Sequence, residues 1–146
     1  LRILKNQRKK RMYDYNCTIR RVVDGDTVDV DVDLGWDTWK HNKRIRLFAI
    51  DTPECRTRDK QEKAAGLLAK KFVQERLEVG KKYALKTHEK GKYGRYLGTI
   101  FLEDGTSINA ALVSERLAVP YSGQNKELVE AAHKKNYEYL VKNKAL

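Results

Sequence analysis

The chain has 146 residues, of which 40% are hydrophobic, so it is long enough to bury the core of one domain. Lysine and arginine number 31 against 20 aspartate and glutamate residues, and the resulting net charge of +11 favours polyanionic partners, of which nucleic acid is the commonest. No apolar run is long enough to span a membrane, no secretory leader is visible, and two cysteines exclude a disulfide framework.

The first eleven residues predict a basic arm, either solvated or in contact with phosphates, ahead of one domain at residues 12–146. Its basic residues are Arg2, Lys5, Arg8, Lys9, Lys10 and Arg11. Because the chain starts at Leu1 rather than at Met, the missing leader says little about secretion, and the localisation stays open.

Two strands are predicted before residue 35. Residues 12–23 place Cys17 and Ile19 on one face, and Asp24–Thr27 then forms a turn that contains a glycine. Residues 28–34 alternate apolar and acidic side chains at strict period two, which is the clearest strand pattern in the chain. For Cys17 and Cys55 we expect two ordinary thiols rather than a bridge.

Residues 35–42 predict a turn-rich loop that carries both tryptophans. Trp36 and Trp39 either stack on nucleic-acid bases or pack over the end of a barrel, and the sequence does not separate the two.

Residues 43–54 contain a strand that stops at Pro53, which has no amide hydrogen. Arg46, Asp51, Glu54 and the carbonyl of Thr52 then lie within one short segment, which suits the handling of phosphate and of a hard metal ion. The plainer interpretation is a solvated arginine followed by the start of a helix. The segment alone does not decide between them.

Helical and strand patterns alternate after residue 58. Residues 59–77 predict a helix whose buried stripe contains Ala64, Leu68 and Phe72, with Ala65 and Leu67 beside it. Strands at 82–88 and 95–102 flank a glycine turn.

Two further helices are predicted, at residues 107–117 and from an Asn125 cap to about residue 142. The last helix is expected to bury Leu128, Ala132 and Tyr139. Five short strands with a helix after the third predict an α+β fold, namely a five-stranded Greek-key barrel of the oligonucleotide-binding (OB) type with three α-helices.

Asp26 and Asp51 lie at opposite chain ends of a predicted antiparallel hairpin, so the two carboxylates can meet. Together with the Thr52 carbonyl they form an oxygen-rich site for Ca²⁺ or Mg²⁺. Arg95, after a glycine turn, can join Arg46 to clamp a phosphodiester. Taken singly, Asp26 also fits an ordinary turn residue and Arg95 a solvated hairpin.

Four segments in this order resemble the staphylococcal nuclease (thermonuclease) family. They are Asp24–Val28, Ile45–Leu47, Ile50–Glu54 and Lys92–Arg95. Residues 109–118 also resemble the family's second helix, so the resemblance extends over nearly the whole chain.

The resemblance implies a role for ten residues. Calcium would be bound by Asp26, Asp51 and the carbonyl of Thr52. Glu54 would position or activate water, and Arg46 and Arg95 would bind the phosphate in the transition state. The implied nucleotide-binding residues are Lys92, Tyr93 and Tyr121, and Asp24 would lie near the metal without binding it.

The implied activity is Ca²⁺-dependent hydrolysis of DNA and RNA by water attack on phosphorus, leaving 3′-phosphates. We expect a monomer that binds no membrane, and we expect single strands to be cut faster because tryptophan and tyrosine suit unstacked bases. The alternative is a non-catalytic barrel that binds nucleic acid or protein. Residues 35–42, which form a longer loop than is usual in the family, and residues 55–58 depart from its pattern and are expected to border the site.

Overall fold

The structure is a computed structural model that describes residues 12–146, so the predicted arm at 1–11 lies outside the described residues. The strands are β1 (Tyr13–Asp24), β2 (Thr27–Asp33), β3 (Trp39–Leu47), β4 (Ile50–Asp51), β5 (Lys82–Thr87), β6 (Tyr96–Phe101) and β7 (Val119–Pro120). The helices are α1 (Lys60–Arg76), α2 (Ile108–Ser114) and α3 (Lys126–Lys142). None of these helices is long and apolar enough to cross a membrane.

Five strands close into a barrel in the order β1-β2-β3-β6-β5, with β5 pairing back onto β1. All neighbouring strands are antiparallel except β3 and β6, which run parallel. The remaining strands, β4 and β7, form a separate two-stranded sheet. The predicted five-stranded OB-type barrel with three α-helices is confirmed.

The core fills the barrel and the space beneath the helices. Its fully buried side chains include Ile19, Val28, Val30, Leu47, Leu85 and Ile100 from the strands, and Ala69, Val73, Ile108 and Leu112 from the helices. Period-two alternation explains the strand contribution, because every second side chain points inward. Cys17 and Cys55 are both buried free thiols, as expected.

The predicted loop at 35–42 is shorter than expected, because β3 already begins at Trp39. Trp36 is fully exposed at a positive φ of 53°, so packing over the barrel end is wrong for this residue. Trp39 stacks in parallel on His41, with ring centroids 6.1 Å apart.

The predicted buried stripe of α1 is wrong by one position. The residues that are buried are Ala65, Gly66, Ala69 and Val73, whereas Ala64 is exposed and Leu68 and Phe72 are only partly buried. The sequence pattern gives most weight to large apolar residues, but the helix approaches the barrel most closely where its side chains are small.

The predicted buried side of α3 is also wrong. Leu128 and Tyr139 are 60% and 45% exposed and Ala132 is only partly buried. The residues buried instead are His133, Asn136, Tyr137 and Leu140. This face packs through polar contacts as well as apolar ones: the Asn136 amide donates to the carbonyl of Ala118 at 3.3 Å. An apolar pattern therefore cannot locate it.

The acidic side chains of β2 organise the hairpin that leads into β3. Asp29 accepts two hydrogen bonds from the cross-strand Arg44, at 2.9 and 3.3 Å. Asp31 accepts from the main-chain amide of Asn42 at 2.8 Å and lies near His41 and Arg20. Burial alone would raise the pKa of Asp31, but these donors and the charge of Arg20 outweigh it, so the pKa is lowered.

We expect Asp31→Asn to lower the free energy of unfolding at pH 7 by about 1 kcal/mol, since hydrogen bonds to a charged group are lost. The folded-state pKa lies below the unfolded value of about 3.9, so this contribution is complete above that pH and is lost as the pH falls through the folded pKa. Urea unfolding should show a smaller difference in the free energy of unfolding between the parent protein and Asp31→Asn at pH 3 than at pH 7. The exposed Asp37→Asn is the control, and a gap of equal size at both pH values would contradict the prediction.

Gly66 lets α1 approach the segment that follows β4. A Cβ at this position would lie 2.6 Å from the carbonyl oxygen of Glu54 and 2.8 Å from that of Pro53. Backbone atoms cannot yield as a flexible side chain can, so any larger residue would displace either the helix or the segment that carries Glu54.

We expect Gly66→Ala to destabilise the protein by about 1–3 kcal/mol through overpacking, which outweighs the roughly 0.5–1 kcal/mol that alanine normally gains in a helix. Urea unfolding measures the difference. Ala64→Gly, on the exposed side of the same helix, measures the intrinsic helix term, expected to be a loss of about 1 kcal/mol. A Gly66→Ala variant as stable as the parent would contradict the close approach.

Candidate active site

The pairing of β2 with β3 brings the turn after β1 beside the end of β3. Thr27 lies directly opposite Arg46, and the amide of Leu47 donates to the carbonyl of Asp26 at 2.8 Å. The chain then returns through β4, so Asp51 reaches the same place. One atom, Nη2 of Arg46, contacts Asp26 Oδ2 at 3.3 Å and Asp51 Oδ1 at 3.0 Å. The two carboxylates therefore meet, as the hairpin geometry predicts.

The turn that carries Asp26 packs tightly because residue 25 is glycine. A Cβ at Gly25 would lie 2.8 Å from the Cβ of Ala69 on α1 and 3.1 Å from the side chain of Thr52. The amide of Thr52 donates to Asp26 Oδ2 at 3.3 Å. A side chain at position 25 would push these groups apart.

A small polar cavity of about 150 Å³ gathers most of the predicted site. Its lining residues are Asp24, Asp26, Thr27, Arg46, Asp51, Thr52, Pro53, Glu54 and Arg95. All the residues predicted to bind metal or to act in catalysis thus line one cavity.

Negative charge is in excess in this cavity. The pKa of Glu54 is raised above its usual range, first by burial and then by the neighbouring charges of Asp26, Asp24 and Asp51. Four carboxylates face two guanidinium groups here. A cation is the natural counterpart of such a site.

The donor chemistry fits a hard cation. Within residues 12–146 no group of three or more His, Cys, Asp or Glu side chains is arranged to hold a metal ion. The predicted set differs, since it combines the carboxylates of Asp26 and Asp51 with the main-chain carbonyl of Thr52. Oxygen donors of this kind suit Ca²⁺, which completes its shell with water.

The two arginines of the cavity, Arg46 and Arg95, differ in exposure and in the contacts that they make. Arg46 is 19% exposed and also donates to the carbonyl of Ile50 at 3.3 Å, and its Nε is buried with no hydrogen-bond partner among the described residues. Arg95 is exposed and forms no salt bridge within residues 12–146. Its guanidinium carbon lies 5.8 Å from the centre of the Tyr93 ring.

A second, larger cavity of about 700 Å³ adjoins the first and shares both arginines with it. It contains the three residues predicted to bind nucleotide, namely Lys92, Tyr93 and Tyr121. Tyr93 is 91% exposed at a positive φ of 64°, within a 3₁₀ turn at Lys92–Gly94. Tyr121 is anchored by its amide, which donates to the carbonyl of Ala49 at 2.7 Å.

Two segments, residues 35–42 and residues 55–58, depart from the family pattern. Cys55 is buried, and burial, with the charge of Asp24 as the next cause, raises the pKa of its thiol. No residue of 35–42 or of 55–58 lines either cavity, so the expectation that the loop borders the site is wrong. Of the second segment, Cys55 lies beside the site only as the chain neighbour of Glu54.

His133 was not found by sequence reasoning. Its Nε2 lies 2.8 Å from Asp51 Oδ2, although 82 residues separate the two. The only signal is its spacing with Asn136, Tyr137 and Leu140, which is that of one helical face and predicts burial without naming a partner.

Comparisons with known proteins identify the family of this chain. The family model described as staphylococcal nuclease homologue matches residues 44–145. The thermonuclease of Staphylococcus intermedius is 33% identical over 122 residues, which is 80% of this chain and 68% of that protein. Endonuclease YncB of Bacillus subtilis (strain 168) is 33% identical over 116 residues, 78% of this chain and 50% of that protein.

Endonuclease YhcR of the same strain is 30% identical over 115 residues, which is 74% of this chain. The chain spans 9% of that relative, so the relatives differ greatly in what else they contain. Because the family model matches well over half of this chain, the chain belongs to the staphylococcal nuclease family.

Proposed function

We propose that this protein is a Ca²⁺-dependent nuclease that hydrolyses DNA and RNA, cuts single strands faster than duplexes and leaves 3′-phosphates. One observation carries the proposal: a single cavity gathers the carboxylates of Asp26, Asp51 and Glu54 with the guanidinium groups of Arg46 and Arg95. Relatives named thermonuclease and endonuclease support it.

Asp26, Asp51 and the carbonyl of Thr52 would hold the calcium ion. When bound, such an ion neutralises charge on the phosphate and orients the reacting groups. Partial burial and then the surplus of neighbouring carboxylates raise the pKa of Glu54, and that surplus is the feature of this chain that favours a bound cation.

Arg46 and Arg95 bind the non-bridging oxygens of the phosphodiester. A guanidinium group donates two parallel hydrogen bonds, which matches the spacing of phosphate oxygens. As phosphorus becomes five-coordinate, these oxygens gain charge and the hydrogen bonds strengthen. Stabilisation that grows in the transition state lowers the barrier.

Glu54 accepts a proton from the attacking water. Glu54 lines the same cavity as both arginines, which places its carboxylate beside the phosphate that they would bind. The water oxygen bonds to phosphorus and the bond from phosphorus to the 5′ oxygen breaks. The phosphate stays on the 3′ oxygen and the leaving 5′ oxygen takes up a proton.

The larger cavity accommodates the nucleotide beside the scissile phosphate. Tyr93 and Tyr121 offer aromatic faces to an unstacked base, and Lys92 offers a positive charge to a phosphate. A base held in a duplex is not free to enter, which favours single strands. The net charge of +11 attracts both DNA and RNA.

A non-catalytic binding module is the alternative. Such a module needs no general base, no arginine pair and no pair of metal-binding carboxylates, whereas in this chain Glu54 and the four other residues of this set line one cavity. No observation favours the alternative.

We expect Glu54→Gln to slow cleavage of a single-stranded DNA oligonucleotide by about 10²–10⁴-fold, because the amide cannot accept the proton. Arg95→Ala should slow it by about 10²–10³-fold through loss of transition-state stabilisation. Chelation of Ca²⁺ should abolish cleavage by the parent protein. Single-turnover rates with Ca²⁺ and with chelator measure all three effects.

Arg58→Ala removes an exposed arginine that lines neither cavity, and it should cleave at the parental rate. Circular dichroism checks that each variant is folded. Cleavage that survives both substitutions would show that the activity lies elsewhere.

We expect Tyr93→Ala to raise KM for single-stranded substrate by about 5–150-fold, the equivalent of 1–3 kcal/mol of base stacking. Tyr13→Ala, which also truncates an exposed tyrosine but lies outside both cavities, should leave KM unchanged. Rates on matched single-stranded and duplex DNA at one salt concentration complete the test. Equal rates would refute the strand preference.

A further inference from the structure

A partly buried hydrogen bond connects α3 to the candidate calcium site. The imidazole Nε2 of His133 lies 2.8 Å from Asp51 Oδ2, and the two side chains are 9% and 27% exposed. An ionised carboxylate can only accept, so the hydrogen of this bond belongs to Nε2.

Through this contact both carboxylate oxygens of Asp51 have a hydrogen-bond donor from the protein. Arg46 donates to Oδ1 of Asp51 at 3.0 Å, and His133 occupies the other oxygen. With one donor on each oxygen, the plane of the carboxylate is fixed from both sides. Without His133, Asp51 is free to turn and to offer both oxygens to Arg46, which would withdraw it from a cation.

The imidazole has no other hydrogen bond within the described residues. Its Nδ1 is buried without a partner there, which is a cost for a polar group inside a protein. The ring is packed against Tyr137, one turn along the helix, with centroids 6.2 Å apart and planes 19° apart. The neighbouring Asn136 anchors the helix to the carbonyl of Ala118. Helix packing and Asp51 together therefore set the position of the ring.

We propose that His133 is a positioning residue that holds Asp51 in the orientation that binds calcium. The inference rests on the proposed function, since it concerns the same cation site. It assigns to α3, which supplies no residue of the predicted catalytic set, a direct part in metal affinity. Hydrogen-bond partners of metal-binding side chains typically change metal affinity or activity 10–100-fold when they are removed.

The test compares three substitutions at residue 133. Glutamine can place its amide nitrogen near the position of Nε2, whereas asparagine places it near Nδ1 and alanine removes the donor. Isothermal titration calorimetry with Ca²⁺ alone measures affinity in the absence of turnover. We expect about 10–100-fold weaker binding for His133→Ala and His133→Asn, and binding close to that of the parent protein for His133→Gln.

His41→Ala is the matched control, because it removes another histidine that faces an aspartate, Asp31, outside the site. It should bind Ca²⁺ as the parent does. Cleavage rates follow the same order at low Ca²⁺, and those of the weak variants should recover at saturating Ca²⁺. A merely structural defect would not recover in this way.

Each outcome separates the two proposals. A parent protein that neither binds Ca²⁺ nor cleaves would refute the proposed function itself. A parent that does both, with His133→Ala unchanged in Ca²⁺ affinity, would overturn the role of His133 alone. Ca²⁺ binding that is weakened equally in the glutamine and asparagine variants would also overturn it, provided that a cooperative thermal unfolding transition shows both variants to be folded. Should His133→Ala fail to fold, the glutamine and asparagine pair decides.

Discussion

The arrangement of the site depends on one guanidinium group. Arg46 Nη2 contacts Asp26 and Asp51, which come from opposite ends of the β2–β3 hairpin and its continuation. Two ionised carboxylates that contact the same atom repel each other in a partly buried setting, and the guanidinium cation that they share offsets that repulsion. The register that places Thr27 opposite Arg46 makes the contact possible. A slip of one residue would turn Arg46 into the barrel core.

Close packing around this contact uses small residues rather than large ones. Gly25 allows its turn to contact α1, and Gly66 allows α1 to contact the main chain of Glu54. The helix thereby supports both segments that supply carboxylates. A second helix, α3, reaches Asp51 through His133. The barrel, α1 and α3 converge on the site, so its geometry is a property of the whole fold rather than of one loop.

Much of this was predictable from the sequence, and the exceptions share a cause. Strict alternation located β2, and antiparallel pairing then placed Asp26 beside Asp51. The buried face of α1 was wrong because small residues, two alanines and a glycine, fill most of it, and the pattern favours large apolar side chains. The buried face of α3 was wrong because histidine and asparagine fill half of it, and apolar periodicity does not register polar residues. His133 was missed because its partner is 82 residues away and nothing local marks the pair.

The salt bridges of the site also imply different roles for Arg46 and Arg95. Arg95 carries no salt bridge within the described part of the chain, so it can bind phosphate without breaking an existing contact. Arg46 must first loosen its bonds to Asp26 and Asp51. On the proposed function a bound calcium ion would share the negative charge of those carboxylates, which would weaken their hold on Arg46 and free it for the substrate. Since linkage is reciprocal, calcium and phosphate should each strengthen the binding of the other.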